Sequence, residues 1–235
     1  MRKAVFFDLD GTLLPLDMHR FSRIYYKMIK RAGFFDRISK DKGEDIFKKA
    51  IYAMFANDGR ALNRDVFFET IEKLSGVSGQ ALLPYMESFY RNEYKKVKRC
   101  TRTDKRAVET VMELKRKGLR LILATNPVFP EIATDQRIAW ASLSPSDFEY
   151  ISYYDNSSYF KPNPKYYQDI LDKTGLLASE CYIVGNDVTE DMSATALGFK
   201  GFLVLDHVIG DMERAPECEQ GNYSDLLDFA RSLAI

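Results

Sequence analysis

The feature that most constrains the fold is a short apolar segment, Ala4–Phe7, that runs directly into two acidic residues, Asp8 and Asp10. Four apolar residues that include Val and Phe are typical of a buried strand. Side chains alternate along a strand, so the two carboxylates would point the same way if the strand continued straight. Two adjacent carboxylates repel unless one binds a proton or both meet a cation. The chain therefore predicts a buried strand that ends in a charged site, with Gly11 allowing a sharp turn beyond it.

Size and composition limit the classes of protein that this chain can belong to. It has 235 residues, of which 46% are hydrophobic, so it can form one large domain or a domain with an insert. Its formal net charge is zero, which gives no electrostatic argument for binding nucleic acid or an acidic membrane. No apolar segment is long enough for a signal peptide or a membrane span, so we expect a soluble cytoplasmic protein. The three cysteines are far apart and lack metal-ligand spacing, and we expect them to be reduced thiols.

The segment after the first strand has a different pattern, because apolar residues recur there at helical spacing. Four helices are predicted, over residues 17–33 with Asp17 as the N-cap, and over 43–57, 64–74 and 80–98. We therefore expect an all-helical module of about eighty residues, inserted directly after the first strand.

From Thr103 onward, helical and strand-like segments alternate. Strands are predicted at 119–124, 148–152, 181–184 and 202–205, with helices between them and a closing helix over 223–233. Apolar strands separated by helices indicate a parallel sheet that is covered on both faces. The predicted fold class is therefore α/β, with the sheet domain formed by residues 1–16 and 101–235 and the helical insert by residues 17–100.

Polar residues occur repeatedly where the predicted strands end. In open α/β sheets, ligands bind outside the carboxyl ends of the strands, so we expect these side chains to converge. Acids, a hydroxyl and a lysine at such an edge favour a metal-dependent phosphoryl-transfer site. The candidate residues are Asp8, Asp10, Thr125, Asn126, Lys161, Asn186, Asp187 and Asp191.

Four motifs in this order resemble those of a known family. They are Asp8-Leu9-Asp10-Gly11-Thr12, the apolar strand that ends at Thr125, Lys161-Pro162-Asn163-Pro164, and Gly185-Asn186-Asp187 with Asp191. The set resembles the haloacid dehalogenase (HAD) superfamily of hydrolases, in its phosphoglycolate-phosphatase-like branch. The resemblance covers the sheet domain and implies a Rossmann-like core. The helical insert looks like the cap of this family in its most common position.

The resemblance implies a Mg²⁺-dependent phosphatase that hydrolyses a small phosphorylated metabolite. Asp8 would attack phosphorus to give an aspartyl-phosphate, which water then hydrolyses. Asp10 would protonate the leaving oxygen and later activate the water. Thr125 and Asn126 would hold the phosphoryl oxygens, while Lys161 and Mg²⁺ would balance the phosphoryl charge. Family members that cleave carbon–halogen bonds lack the second acid, so the presence of Asp10 favours phosphoryl transfer.

The chain departs from the pattern of the family at one of the metal ligands. Asp8, the backbone carbonyl of Asp10 and one residue of the fourth motif would bind Mg²⁺, which prefers hard oxygen ligands. The family usually has an acid directly after the glycine of that motif, where this chain has Asn186. Either Asp187 or the amide oxygen of Asn186 would bind the metal, and we favour Asp187. Asp191 would be a partner of the loop lysine or of a metal-bound water, or else a helix-start charge favoured by the helix dipole.

Other functions stay open at this point. A phosphomutase or a phosphonate hydrolase could use the same core, and a non-catalytic regulatory protein could keep the phosphate pocket. His19 and Arg20 could reach the substrate, although solvent-facing positions are favoured. Aromatic residues of the insert, such as Tyr25 and Phe67, are more often packed between helices than exposed to a ligand.

Overall fold

The computed structural model describes residues 3–233, and in this part of the chain six strands form a single sheet. The strands are β1 (Ala4–Phe7), β2 (Arg120–Leu123), β3 (Tyr150–Ile151), β4 (Cys181–Gly185), β5 (Lys200–Val204) and β6 (Glu219–Gly221). Their order in the sheet is β3-β2-β1-β4-β5-β6, and every neighbouring pair is parallel. The predicted α/β fold class with a parallel sheet is confirmed.

Strand β1 lies in the middle of the sheet and is buried on both faces. It pairs with β2 on one side and β4 on the other, with Val5 opposite Leu121 and Tyr182. Val5 and Phe7 belong to one hydrophobic cluster and Phe6 to another, because alternate side chains of a strand point to opposite faces. This burial on both faces explains the continuous apolar sequence. It also places Asp8 at the centre of the carboxyl edge of the sheet.

The segment between β1 and β2 is helical, as the apolar spacing predicts. It contains α1 (Met18–Arg31), α2 (Phe34–Ile38), α3 (Gly43–Phe55), α4 (Asn63–Ser75), α5 (Gly79–Arg91) and a 3-10 helix (Glu93–Cys100). Asp17 caps α1 as predicted, accepting a hydrogen bond from the backbone N–H of Arg20 at 3.0 Å. The short helix α2 has no counterpart among the predicted helices.

The helix predicted over residues 80–98 is in fact two elements that meet at Asn92. The side-chain amide of Asn92 donates to the carbonyl of Ser88 at 2.9 Å, a local bond that competes with continuation of the helix. In the 3-10 helix that follows, Tyr94, Val97 and Cys100 are buried. Their three-residue spacing matches the three residues per turn of a 3-10 helix, so this geometry keeps one face on the core.

The remaining α-helices belong to the part of the chain that follows the insert. They are α6 (Lys105–Arg116), which lies between the insert and β2, α7 (Glu131–Trp140), which lies between β2 and β3, α8 (Pro164–Thr174), which lies between β3 and β4, and α9 (Tyr223–Ser232), which follows β6. The helix predicted around Met192 is a 3-10 helix, Met192–Leu197. Strand β6 was not predicted, because its Glu and Gln side chains are exposed and give no apolar pattern. Among residues 3–233, none of the helices is long and apolar enough to cross a bilayer.

Candidate active site

The eight candidate residues converge as the strand ends predict. Asp8, Asp10, Thr125, Asn126, Lys161, Asn186, Asp187 and Asp191 all line one cavity of about 410 Å³. Helices α1, α3, α4 and α5 of the insert also contribute side chains to its wall. The cavity therefore lies between the carboxyl edge of the sheet and the helical insert. His19 and Arg20 are exposed and do not line it.

Lys161 joins two carboxylates at the floor of this cavity. Its Nζ donates to Oδ1 of Asp8 at 2.8 Å and to Oδ1 of Asp191 at 2.6 Å, and all three residues are buried. Burial by itself lowers the pKa of the Lys161 amine, but the carboxylates of Asp191 and Asp8 together outweigh it and hold the pKa well above its usual value. Lys161 is therefore a permanent cation next to Asp8.

The carboxyl of Asp8 has a raised pKa even though Lys161 lies beside it. The pKa of its carboxyl is raised to about 7 overall, because burial, the largest effect, together with Asp191 and Asp10 raises the pKa more than Lys161 lowers it. The hydroxyl of Thr12 lies 3.4 Å from Oδ2 of Asp8. A second cation at Asp8 would favour the ionised form that nucleophilic attack requires.

Asp191 connects the fourth motif to Lys161. Its Oδ2 accepts the backbone N–H groups of Asn186 and Asp187, both at 2.9 Å. This close approach depends on Gly185, because a Cβ at that position would lie 2.3 Å from Cγ of Asp191. The Asp191 side chain makes no cap bond to the 3-10 helix that it precedes. The structure thus places Asp191 as the partner of Lys161.

Asn186 is fixed in one orientation by bonds at both ends of its amide. Its Nδ2 donates to the carbonyl of His207 at 2.7 Å, and its Oδ1 accepts from the hydroxyl of Thr12 at 2.8 Å. Gly11, with φ +92°, allows this approach, since a Cβ there would lie 2.5 Å from Nδ2 of Asn186. The amide oxygen of Asn186 therefore shares the Thr12 hydroxyl with Asp8.

Asp187 has a different environment from Asn186. Its Oδ1 accepts two backbone N–H groups of the turn that follows, those of Thr189 and Glu190, each at 2.8 Å. This oxygen stabilises the turn in the way an Asp does in Asx turns. Among the described residues, no group of three or more His, Cys, Asp or Glu side chains is arranged to hold a metal ion.

Arg137 is a residue of the site that the sequence does not reveal. It lies on α7 with 1% of its surface exposed and forms an ion pair with Oδ2 of Asp10. Its Nη2 donates to the hydroxyl of Thr134 at 3.1 Å, and its guanidinium lies 4.5 Å from the ring centroid of Phe129. A charge on a short amphipathic helix is normally expected to face solvent. The feature that could have identified Arg137 is its position beside Ile138, on the face of α7 that is buried.

The Asp10–Arg137 pair leaves one oxygen of Asp10 uncommitted. Burial raises the pKa of Asp10, while Arg137 and Lys161 oppose this rise. Within residues 3–233, Oδ1 of Asp10 and Nε of Arg137 are buried without a hydrogen-bond partner. Arg137 thus holds the carboxyl of Asp10 through Oδ2, and the contacts within residues 3–233 leave Oδ1 without a partner.

Asn126 and Glu190 form the wall next to Lys161. The Asn126 side chain donates to Oε2 of Glu190 at 2.6 Å and accepts the backbone N–H of Lys161 at 2.9 Å. The pKa of Glu190 is raised to about 7 overall, because burial, the largest effect, together with Asp187 raises the pKa more than Lys161 lowers it. Glu190 also lines the cavity, and its place beside Asp191 in the fourth motif was the signal that could have identified it. Thr125 is 2% exposed at the same wall.

Comparison with known proteins gives the family. A model of the haloacid dehalogenase-like hydrolases matches residues 2–197. The chain belongs to this family. It is therefore a hydrolase with the HAD-type α/β fold, as the four motifs predict. In a sequence search, no curated protein matches the chain.

Solved structures of HAD proteins share this fold at low sequence identity. The L-2-haloacid dehalogenase from Xanthobacter autotrophicus is 18% identical, with 100% of both chains covered and a TM-score of 0.58. A HAD phosphatase from Thermococcus onnurineus is 21% identical, with 97% of both chains covered and a TM-score of 0.56. A predicted phosphoglycolate phosphatase from Haemophilus somnus is 17% identical, with 97% of both chains covered and a TM-score of 0.57. These likenesses show the shared fold.

The buried pair of Arg137 and Asp10 predicts a large loss of stability in Arg137→Met. The variant leaves the Asp10 carboxylate buried without its counter-charge, so the free energy of unfolding should fall by about 3–5 kcal/mol. Arg106→Met is the matched control, since Arg106 pairs with Asp104 while 42% exposed, and it should cost less than about 1 kcal/mol. Urea unfolding measures both. Equal losses would show that the buried pair has no special role in stability.

The raised pKa of Glu190 predicts a pH-dependent effect of Glu190→Gln. A carboxyl whose pKa is raised by folding, here from 4.5 to about 7, destabilises the protein progressively as the pH rises through that range. Glutamine removes this effect and can still accept the hydrogen bond from Asn126. The variant should therefore gain stability over the natural protein at pH 8 relative to pH 5 in urea unfolding. Glu217→Gln, at an exposed position, is the control, and the same pH trend in both variants would contradict the assignment.

Proposed function

We propose that this hydrolase is a Mg²⁺-dependent phosphatase that cleaves a small phosphorylated metabolite through an aspartyl-phosphate on Asp8. The observation that carries the proposal is the bridge from Lys161 to Asp8 and Asp191, at 2.8 and 2.6 Å, on the floor of a cavity. A nucleophilic carboxylate next to a fixed cation, with a second acid two residues away, suits transfer of a phosphoryl group.

Asp8 would act as the nucleophile. One of its oxygens forms a bond to phosphorus while the bond from phosphorus to the leaving alcohol breaks. Lys161 stays positively charged, because the carboxylate of Asp191 still holds it when Asp8 is phosphorylated, and it offsets the negative charge on the phosphoryl oxygens. Thr125, buried at the same wall, would donate its hydroxyl to one of those oxygens.

Asp10 would move the protons. Its Oδ1 lacks a hydrogen-bond partner within residues 3–233, and its raised pKa allows the carboxyl to carry a proton to the leaving alcohol. The resulting carboxylate would then take a proton from the water that attacks the aspartyl-phosphate. Arg137 holds Oδ2 of Asp10, and this contact fixes the orientation of the carboxyl and therefore the position of Oδ1.

The oxygen atoms at the sheet edge fit Mg²⁺. The carboxylate of Asp8 and the amide oxygen of Asn186 both contact the hydroxyl of Thr12, and the backbone carbonyl of Asp10 would complete a set of hard ligands. The fixed orientation of the Asn186 amide supports this residue as the ligand in preference to Asp187, whose Oδ1 accepts two backbone N–H groups. When bound, Mg²⁺ would neutralise and orient the phosphoryl group.

The helical insert would serve as a cap domain. Leu16 and Thr101 form an isolated antiparallel bridge, and the N–H of Arg102 donates to the carbonyl of Pro15 at 2.9 Å. The chain therefore enters and leaves the insert at adjacent points, which supports a boundary between residues 17–100 and the sheet domain of 1–16 and 101–235. A cap in this position would exclude water from Asp8 during the reaction.

The central prediction concerns the two acids of the first motif. Asp8→Asn should abolish Mg²⁺-dependent phosphate release, because the amide is not a nucleophile. Asp10→Asn should lower the rate by about 10²–10⁴-fold, through loss of proton transfer. A panel of phosphate esters, a phosphonate and a 2-haloacid, assayed for phosphate and halide, measures this. Asp228→Asn, whose side chain is 75% exposed, is the control.

The same panel separates the competing functions. Halide release from the 2-haloacid without phosphate release would contradict the proposal and favour a dehalogenase. Isomerised phosphate esters without free phosphate would favour a mutase, and cleavage of the phosphonate alone would favour a phosphonate hydrolase. Binding of phosphate without turnover of any compound would favour a regulatory protein.

A further inference from the structure

The part of the cavity above the catalytic residues is apolar. Its wall comes from the insert and includes Phe21 and Tyr26 of α1, Ile51 and Met54 of α3, Phe67 of α4 and Met86 of α5. Of the aromatic residues of the insert, Tyr25, Tyr26, Phe67 and Tyr90 line the cavity, and Tyr25, Phe67 and Tyr90 also belong to the hydrophobic core, as Phe89 does. An apolar wall with polar groups at one end is typical of a site for an amphipathic small molecule.

Among residues 3–233, no side chain that lines the cavity carries an unpaired positive charge for a second anionic group. In the described part of the chain, the cationic side chains that line it are Lys161 and Arg137. Lys161 is paired with Asp8 and Asp191, and Arg137 with Asp10. A carboxylate or second phosphate on the substrate would be buried against apolar groups without a counter-charge, which is costly.

The tyrosine hydroxyls of the wall offer few hydrogen bonds to a sugar substrate. Those of Tyr25 and Tyr90 pair with each other at 3.0 Å, and that of Tyr154 lies 4.0 Å from the sulfur of Met86. Burial raises the pKa of each of these tyrosines, so they stay neutral. The insert adds the hydroxyl-bearing residues Ser22 and Tyr26 to its wall, while Asp187 and Glu190 line the side of the sheet. The wall formed by the insert therefore offers few hydrogen bonds to a polyhydroxylated substrate.

The rim of the cavity is also apolar. Met18, Phe55 and Ile209 line it while 42%, 46% and 45% exposed, respectively. The ring of Phe55 contacts that of Phe160, directly before Lys161, at a centroid distance of 4.6 Å. An apolar path therefore leads from the surface to the phosphate site.

We infer that the natural substrate is a phosphate monoester of an apolar alcohol, with an alkyl or arylalkyl group and a single anionic end. The phosphoryl group would lie at Asp8 and Lys161, and the apolar group would pack against the side chains of α1, α3, α4 and α5. This inference rests on the phosphatase function proposed above and specifies the substrate class of the same site.

A homologous series of primary alkyl phosphates tests this inference, because the members share the same leaving-group chemistry. From ethyl to butyl to hexyl phosphate, kcat/KM should rise about 3- to 4-fold for each added methylene that enters the cavity. Benzyl phosphate should resemble hexyl phosphate. A flat series, or a higher kcat/KM for phosphoglycolate or glucose 6-phosphate than for hexyl phosphate, would overturn the inference.

Two neighbouring positions on α3 provide a matched pair of variants. Ile51 lines the cavity, whereas Tyr52 is 71% exposed and is not among the lining residues. Ile51→Thr places a hydroxyl in the wall and should lower the ratio of hexyl to ethyl phosphate kcat/KM about 3- to 10-fold. Tyr52→Thr should leave the ratio unchanged. The ethyl phosphate rate and thermal unfolding monitor folding, and an unchanged ratio in a folded Ile51→Thr protein would count against an apolar contact.

Equilibrium binding separates failure of the inference from failure of the proposed function. Asp8→Asn protein with Mg²⁺ should bind hexyl phosphate more tightly than ethyl phosphate or glucose 6-phosphate in calorimetry. If no ester is hydrolysed by the natural protein, the phosphatase function fails, and the order of affinities still decides the substrate class. Tighter binding of phosphoglycolate, or no preference for the longer chain, would contradict the inference.

Discussion

The interaction on which the site depends is the buried contact of Lys161 with Asp8 and Asp191. Asp8 is held at the centre of the sheet by β1, which is buried on both faces. Removing a carboxylate from water is unfavourable, and burial would leave Asp8 protonated without a nearby cation. Lys161 provides that charge, and Asp191 fixes the lysine while its other oxygen orders the backbone after Gly185. Three separate segments are thus joined by one set of charges.

The sheet and the insert contribute different kinds of side chain to the cavity. The charged and polar groups lie at the carboxyl edge of the sheet, where strands deliver side chains from distant parts of the sequence. The insert contributes mostly apolar side chains, such as Phe21 and Ile51, to the opposite wall. In the proposed function, the sheet would supply the chemistry and the insert would select the molecules that reach it. Hydrolases of one family can share the first and differ in the second.

Much of the fold and most of the site could be predicted from the sequence. Buried parallel strands have apolar sequences, and Asp8 and Lys161 belong to motifs whose order is specific. Arg137 was missed because its partner, Asp10, is distant in the sequence and contact between them follows only from the packing of α7. The orientation of Asn186 was equally hidden, since the carbonyl of His207 that fixes it lies in a loop. Side-chain contacts between segments are set by tertiary structure, which periodicity does not encode.

The most direct test of the central claim is to trap the covalent intermediate. The protein is mixed with Mg²⁺ and an ester that it hydrolyses, quenched in acid during turnover, digested and analysed by mass spectrometry. The account predicts one added phosphoryl group on the peptide that contains Asp8, and none in Asp8→Asn. Phosphate release by the natural protein with the phosphoryl group on another residue, or with no labelled peptide at any quench time, would contradict it.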